Sequence, residues 1–118
     1  MKMTLMLGSG AVAVALLLAS GVNAATGILT DKKGMTLYTY DKDTGGMSSC
    51  YQDCAKNWPP YIAKTTSAVN KDWTMVKRKD GKMQWAYDGK PLYYYVGDKK
   101  KGDVAGDNKG GVWHVVQE

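Results

Sequence analysis

Beyond residue 26 the chain sets apolar and polar positions in short alternating runs separated by Gly, Asp and Lys. That period of two belongs to half-buried strands. Residues 27–30 predict a first strand. Residues 31–34 predict a turn in which Gly34 is free to take positive φ. Residues 35–40 predict a second strand, with Tyr38 and Tyr40 on one face and Leu37 on the other. A loop around Gly45 and Gly46 follows. Residues 50–57 predict about two turns of helix, ended by Trp58-Pro59-Pro60 because proline cannot continue it. Residues 64–70 form a polar connector. Strands are predicted at 73–78 and 82–87, joined by Lys79-Asp80-Gly81. Asp88-Gly89 is a second hairpin signal. Residues 91–96, a loop over 97–111 and a strand at 112–116 complete the chain.

The pattern repeats. Shifted by 55 positions, the chain matches Gly34 to Gly89, Leu37 to Leu92, Tyr38 to Tyr93, Tyr40 to Tyr95, Asp43 to Asp98 and Trp58 to Trp113. Internal periodicity outranks local signals in predicting a fold. The expected fold is mainly β: a small antiparallel β-domain with a pseudo-two-fold internal repeat and one short helix. The copies span about 27–63 and 72–118. They diverge most after the Tyr-x-Tyr-x-x-Asp motif, where Cys50 aligns with Ala105. No Phe occurs, so eight Tyr and four Trp must supply the aromatic packing. Their OH and NH groups then need partners when buried.

Residues 1–24 read as a cleaved export signal. Lys2 supplies a positive start, residues 5–19 an apolar stretch, and Val22-Asn23-Ala24 the small residues before a cut. The stretch is too short and too weakly flanked for a lasting membrane anchor. Cleavage would leave 94 of the 118 residues, one domain with a thin stability margin. A periplasmic or secreted location is expected, with an envelope polymer or another envelope protein as the available partner. The mild positive excess is spread along the chain apart from Lys99-Lys100-Lys101. With export it argues against nucleic acid, and a solvated surface accounts for most of it.

Cys50 and Cys54 are the two cysteines, and an oxidising compartment would join them. On a helical turn their Cα atoms would lie about 6 Å apart, within bridging range. The alternative is copper: Cys50, Cys54 and His114, with Met47, are soft and imidazole ligands of the kind copper takes. Asp98, Asp103 and Asp107 lack the alternating spacing of a calcium loop, and lysines stand among them. Tyr38, Tyr40 and Asp43, with Tyr93, Tyr95 and Asp98, are the leading binding candidates. Each strand would present two phenols side by side, with an acid at its end. They would either fasten the copies together or line an aromatic cleft at the pseudo-symmetry axis, suited to sugars or cations. One His, no nucleophile–base pair and no phosphate-cradling loop leave nothing to assign as catalytic.

A wider resemblance rests on Thr36-Leu37-Tyr38-Thr39-Tyr40-Asp41-Lys42-Asp43, Cys50 and Cys54-Ala55, Asn57-Trp58-Pro59-Pro60, Arg78 with Asp80-Gly81, Gly89-Lys90-Pro91-Leu92-Tyr93, Gly102-Asp103 and Trp113-His114-Val115-Val116. Together these resemble the bacterial secreted-repeat family, predicted lipoproteins with a Tyr-x-(Phe/Trp/Tyr)-x-x-Asp motif. The resemblance implies an exported, β-rich repeat protein of unestablished role. No lipid-acceptor cysteine stands near the expected cut. The function expected is that of an exported, non-enzymatic structural or binding module at the cell envelope. The alternative is a periplasmic copper-binding or thiol-redox protein built on Cys50, Cys54 and His114.

Overall fold

The computed structural model describes residues 22–23, 27–64 and 71–118. The predicted export signal, apart from Val22 and Asn23, and most of the predicted connector lie outside the described residues. β1 (Val22–Asn23) pairs with β2 (Ile28–Leu29), and β3 (Tyr38–Tyr40) pairs with β7 (Trp113–Val115). β4 (Trp73–Lys77), β5 (Met83–Tyr87) and β6 (Lys90–Pro91) form a three-stranded sheet in that order. Every pairing is antiparallel. One short helix, α1 (Asp53–Asn57), and a 3-10 turn (Lys109–Gly111) complete the described elements. The fold is thus mainly β, as the alternation predicts. Cleavage after Ala24 would remove β1, but β2 has other partners: Leu29 N–H donates to Val116 O at 2.9 Å, and Leu37 N–H donates to Leu29 O at 3.1 Å.

The two repeats are interlocked rather than placed side by side. At their meeting point Tyr38 N–H donates to Tyr93 O at 2.8 Å, and Tyr93 N–H returns to Tyr38 O at 2.9 Å. The closing segment of each repeat then pairs with the Tyr-x-Tyr strand of the other. Val115 lies opposite Tyr38, and Pro60 lies opposite Tyr93. Asp41 N–H donates to Val112 O at 2.8 Å, and its counterpart Val96 N–H donates to Asn57 O at 3.0 Å. Ile28 bridges Gln117 just as Gln84 bridges Ile62. These matched bonds are the pseudo-two-fold axis expressed in backbone.

The structure also corrects the register. From the Tyr strand onward the offset is 55. Ahead of it Leu29 takes the place of Trp85, because Leu37 N–H meets Leu29 O as Leu92 N–H meets Trp85 O. The first repeat therefore has one more residue in its turn. Gly34 and Gly89 still end these two turns, at φ +90° and +78°. Asp88 joins Gly89 at positive φ, the backbone a tight hairpin requires. The helix is shorter than predicted. It starts at Asp53, leaving Cys50 outside it.

Two buried clusters hold the domain. One contains Tyr38, Cys50, Trp58, Tyr93 and Trp113 on the axis. The other contains Leu29, Leu37 and Leu92, with Trp73, Trp85, Tyr61 and Tyr94 packed around it. Aromatic rings fill the space that Phe fills elsewhere, so their polar tips must be satisfied locally.

Candidate functional site

The repeated tyrosines and aspartates exchange partners across the axis. Tyr38 O–H donates to Asp98 Oδ2 at 2.7 Å, and Tyr93 O–H donates to Asp43 Oδ2 at 2.7 Å. Each acid also accepts a nearby backbone N–H on its other oxygen. Asp43 takes that of Ser49 at 2.8 Å, and Asp98 takes that of Ala105 at 2.8 Å. Burial, together with the acceptor carboxylate, pushes both phenols well above the ordinary tyrosine range. This geometry explains why the acid stands at the strand end. From there it reaches both its own loop and the other repeat's phenol.

Ring contacts cross the axis too. Tyr38 meets Tyr95 edge-on at 6.4 Å, and Tyr40 meets Tyr93 edge-on at 6.5 Å. Trp58 and Trp113 stack at 3.8 Å with their planes 2° apart. Tyr40 lies on Trp113 at 4.0 Å and Tyr95 on Trp58 at 4.4 Å, extending the stack at both ends. Near-parallel overlap is not the arrangement that ring quadrupoles favour. Edge contacts from Tyr38 to Trp58 and from Tyr93 to Trp113 offset it, and burial holds the pair. Among the described residues the axis is therefore filled by rings. Tyr38 and Tyr93 have no exposed surface, Asp98 is buried, and Tyr40, Tyr95 and Asp43 are half-buried.

One part of the clasp, the buried role of Arg78, has no counterpart in the strand pattern. Arg78 is buried, with its guanidinium beside Asp80 at 3.1 Å and over the Tyr51 ring at 4.3 Å. It donates to Ser48 Oγ at 3.0 Å, Gln84 Oε1 at 2.8 Å and Cys50 O at 3.3 Å. Ser48 in turn bonds Tyr93 Oη. Since Tyr93 spends its hydrogen on Asp43, Ser48 must be the donor to Tyr93. A relay thus runs from a buried cation to a carboxylate through two hydroxyls, each polarising the next. In the second repeat a single backbone donor does this work: Gly106 N–H reaches Tyr38 Oη at 3.2 Å. Sequence gives a weak signal for Arg78, the one arginine in a lysine-rich chain.

Cys50 and Cys54 form a disulfide with Cα atoms 5.2 Å apart. In this state neither sulfur is a thiolate, the form that binds metal. His114 Nε2 sits 2.8 Å from Asp41 Oδ2 on β7, and Met47 is exposed on the loop before Ser48. Among the described residues no three His, Cys, Asp or Glu side chains converge as a metal site. The three loop acids serve the backbone. Asp103 accepts from Lys99 and Lys100 N–H, which holds its carboxyl below the usual range, and Asp107 accepts from Val115 N–H.

Open concavities lie on the outer faces, one of them reaching Tyr40 and Asp43. One groove, of about 500 Å³, runs between the 31–34 turn and Pro60 to Lys64, over Trp85 and Tyr94. Its pseudo-two-fold counterpart, of about 330 Å³, runs along Val115 to Gln117 past Asp41, Tyr87 and Asp88. A third, of about 390 Å³, continues from it past Asp43, Gly45 and Gly46.

Comparison with known proteins agrees with the internal symmetry. No curated protein and no solved structure matches the chain. A family model described as a secreted repeat of unknown function matches it twice, over residues 21–61 and 74–117. The two matched stretches are the two interlocked halves, and together they cover more than two-thirds of the sequence, so the chain belongs to the secreted-repeat family.

Proposed function

We propose that this protein is a non-enzymatic binding module of the cell envelope. Its Tyr–Asp clasp is the scaffold, and its outer grooves carry the binding. One observation supports this most. The first tyrosine and the aspartate of each Tyr-x-Tyr-x-x-Asp motif are tied into reciprocal bonds between repeats. Groups held this way keep one shape and are not available to a substrate. The accessible relief lies outside, where ring faces and charged side chains line open grooves. Pre-formed grooves on a rigid frame suit recognition, since little ordering is left to be done on binding.

Co-sedimentation of the purified protein with the insoluble envelope fraction of the producing cells tests the reading. Binding is expected to saturate, to survive repeated washing and to leave the polymer chemically unchanged. Recovery of all the protein in the soluble fraction, or release of polymer fragments, would contradict it.

A further inference from the structure

We infer that the groove over Trp85 and Tyr94 binds a linear acidic polysaccharide; the inference rests on the binding-module reading and names its site and ligand class. The floor of the groove is aromatic. Tyr61 meets Tyr94 at 5.4 Å and 62°, and Trp85 at 6.4 Å and 45°, so the three rings offer faces at different inclinations. They are fixed before any ligand arrives. Tyr94 O–H donates to Asp31 Oδ2 at 2.7 Å, while Asp31 Oδ1 accepts from Lys33 and Met35 N–H. Asp31 is itself buried, so the phenol is tied to the frame rather than to solvent.

The rim is cationic. Lys32, Lys33 and Lys64 stand exposed around the rings, and among the described residues none of them is in an ion pair. The positive track continues beyond the groove. The side chain of Lys101 packs on Gly34, and Thr36 Oγ1 donates to Asp103 O at 2.7 Å, which brings the Lys99–Lys101 loop beside the 31–34 turn. A sugar ring places its C–H face on an aromatic face, and its acidic groups then fall toward the lysines. Lysine is a mobile point charge and tolerates irregularly spaced anions. A track longer than the groove fits a polymer rather than a single sugar.

The duplication supplies an internal control. At the counterpart groove Thr39 replaces Tyr94, Val116 replaces Tyr61 and Leu29 replaces Trp85, while Asp41 and Asp88 stand on the rim. That lining holds Tyr87 and His114 but no cluster of three rings, and its one lysine, Lys90, shares it with Asp41 and Asp88. The difference between the halves lies in these side chains and in the extra residue of the 31–34 turn, and it points to one ligand-bearing face.

The test is titration of the whole protein with polygalacturonate, with neutral dextran, and with vesicles containing phosphatidylglycerol. Polygalacturonate is expected to bind and dextran not to. Raising salt from about 0.05 to about 0.5 M should weaken the binding. The Lys32→Glu, Lys33→Glu double variant should lose about tenfold or more in affinity, and Lys90→Glu beside the counterpart groove should change it little. Tyr61→Leu should weaken binding while keeping apolar bulk under the sheet. Should that variant not fold, the exposed lysine variants still decide. No binding to polygalacturonate, equal loss in Lys90→Glu, or tighter binding to the vesicles would each overturn the inference. Envelope co-sedimentation that persists in the double lysine variant would remove this groove while leaving the binding-module reading intact.

Discussion

At the scale of single residues, the tyrosine phenols decide what the motif is for. A buried O–H on a carboxylate is a charge-assisted bond, and removing it leaves a buried acceptor unpaired. Tyr38→Phe and Tyr93→Phe each remove one hydroxyl and keep the ring. Each should lower unfolding free energy by about 1.5–3 kcal/mol in urea titrations. The two losses should differ, since Asp98 is buried and Asp43 half-buried, and since Tyr93→Phe also takes the acceptor from the buried Ser48 hydroxyl. A loss under about 0.5 kcal/mol would mean that the exchanged bonds do little. The same phenols set the alkaline limit. Burial raises Tyr38, Tyr93 and Tyr94 above the ordinary value, so the folded state resists losing these protons. Their contribution is fully present below the unfolded pKa of about 10 and falls as pH rises above it, because only the unfolded chain then ionises freely. Near-ultraviolet absorbance should show these three carboxylate-bonded phenols ionising only together with unfolding. Smooth ionisation of all eight with the fold intact would contradict this.

At the scale of elements, the two repeats solve one local problem in two ways. Both must hold a loop against the Trp58–Trp113 stack, next to the phenol of the other repeat. The acids capture Ser49 N–H in one copy and Ala105 N–H in the other, which places Cys50 opposite Gly106 rather than Ala105. In the first copy a disulfide and Arg78 fix the loop. In the second a glycine lets the backbone come in close. A Cβ on Gly106 would lie 2.6 Å from the Trp58 ring and 3.0 Å from Tyr95. Reducing the disulfide should cost about 2 kcal/mol, because the loop it closes is very short. Gly106→Ala should cost roughly 1–3 kcal/mol, since the ring it strikes is buried and cannot yield. Thermal melts with and without reductant, and of the variant, check both. The strands, turns and duplication were legible because alternation and turn chemistry are local. The span of the helix was not. Cys50 is drawn into the core by Arg78 and Trp58, so the helix begins only at Asp53, and no neighbour in sequence announces that.

At the scale of the molecule, exchange of the closing segments makes the domain a single cooperative unit. Neither half completes its own Tyr-x-Tyr strand, because Val115 serves Tyr38 and Pro60 serves Tyr93. The sequence showed that there are two copies, and it marked the residues that join them. It did not show the direction of the joining. Tyr38 with Tyr40 reads as a side-by-side pair, and only the crossing of chains makes Tyr95 and Tyr93 their true neighbours. The aromatic groove was hidden for a similar reason. Tyr61, Trp85 and Tyr94 come from three separate segments and converge only when the halves interlock.

The most direct measurement is complementation between the halves. Residues 25–64 and 65–118 are prepared as separate chains and followed by far-ultraviolet circular dichroism and by tryptophan fluorescence. Each alone should be unfolded, and an equimolar mixture should recover the β spectrum and a cooperative melt, with the Trp58–Trp113 stack restored. Cooperative folding of either half alone, or failure of the mixture to associate, would contradict the interlocked clasp.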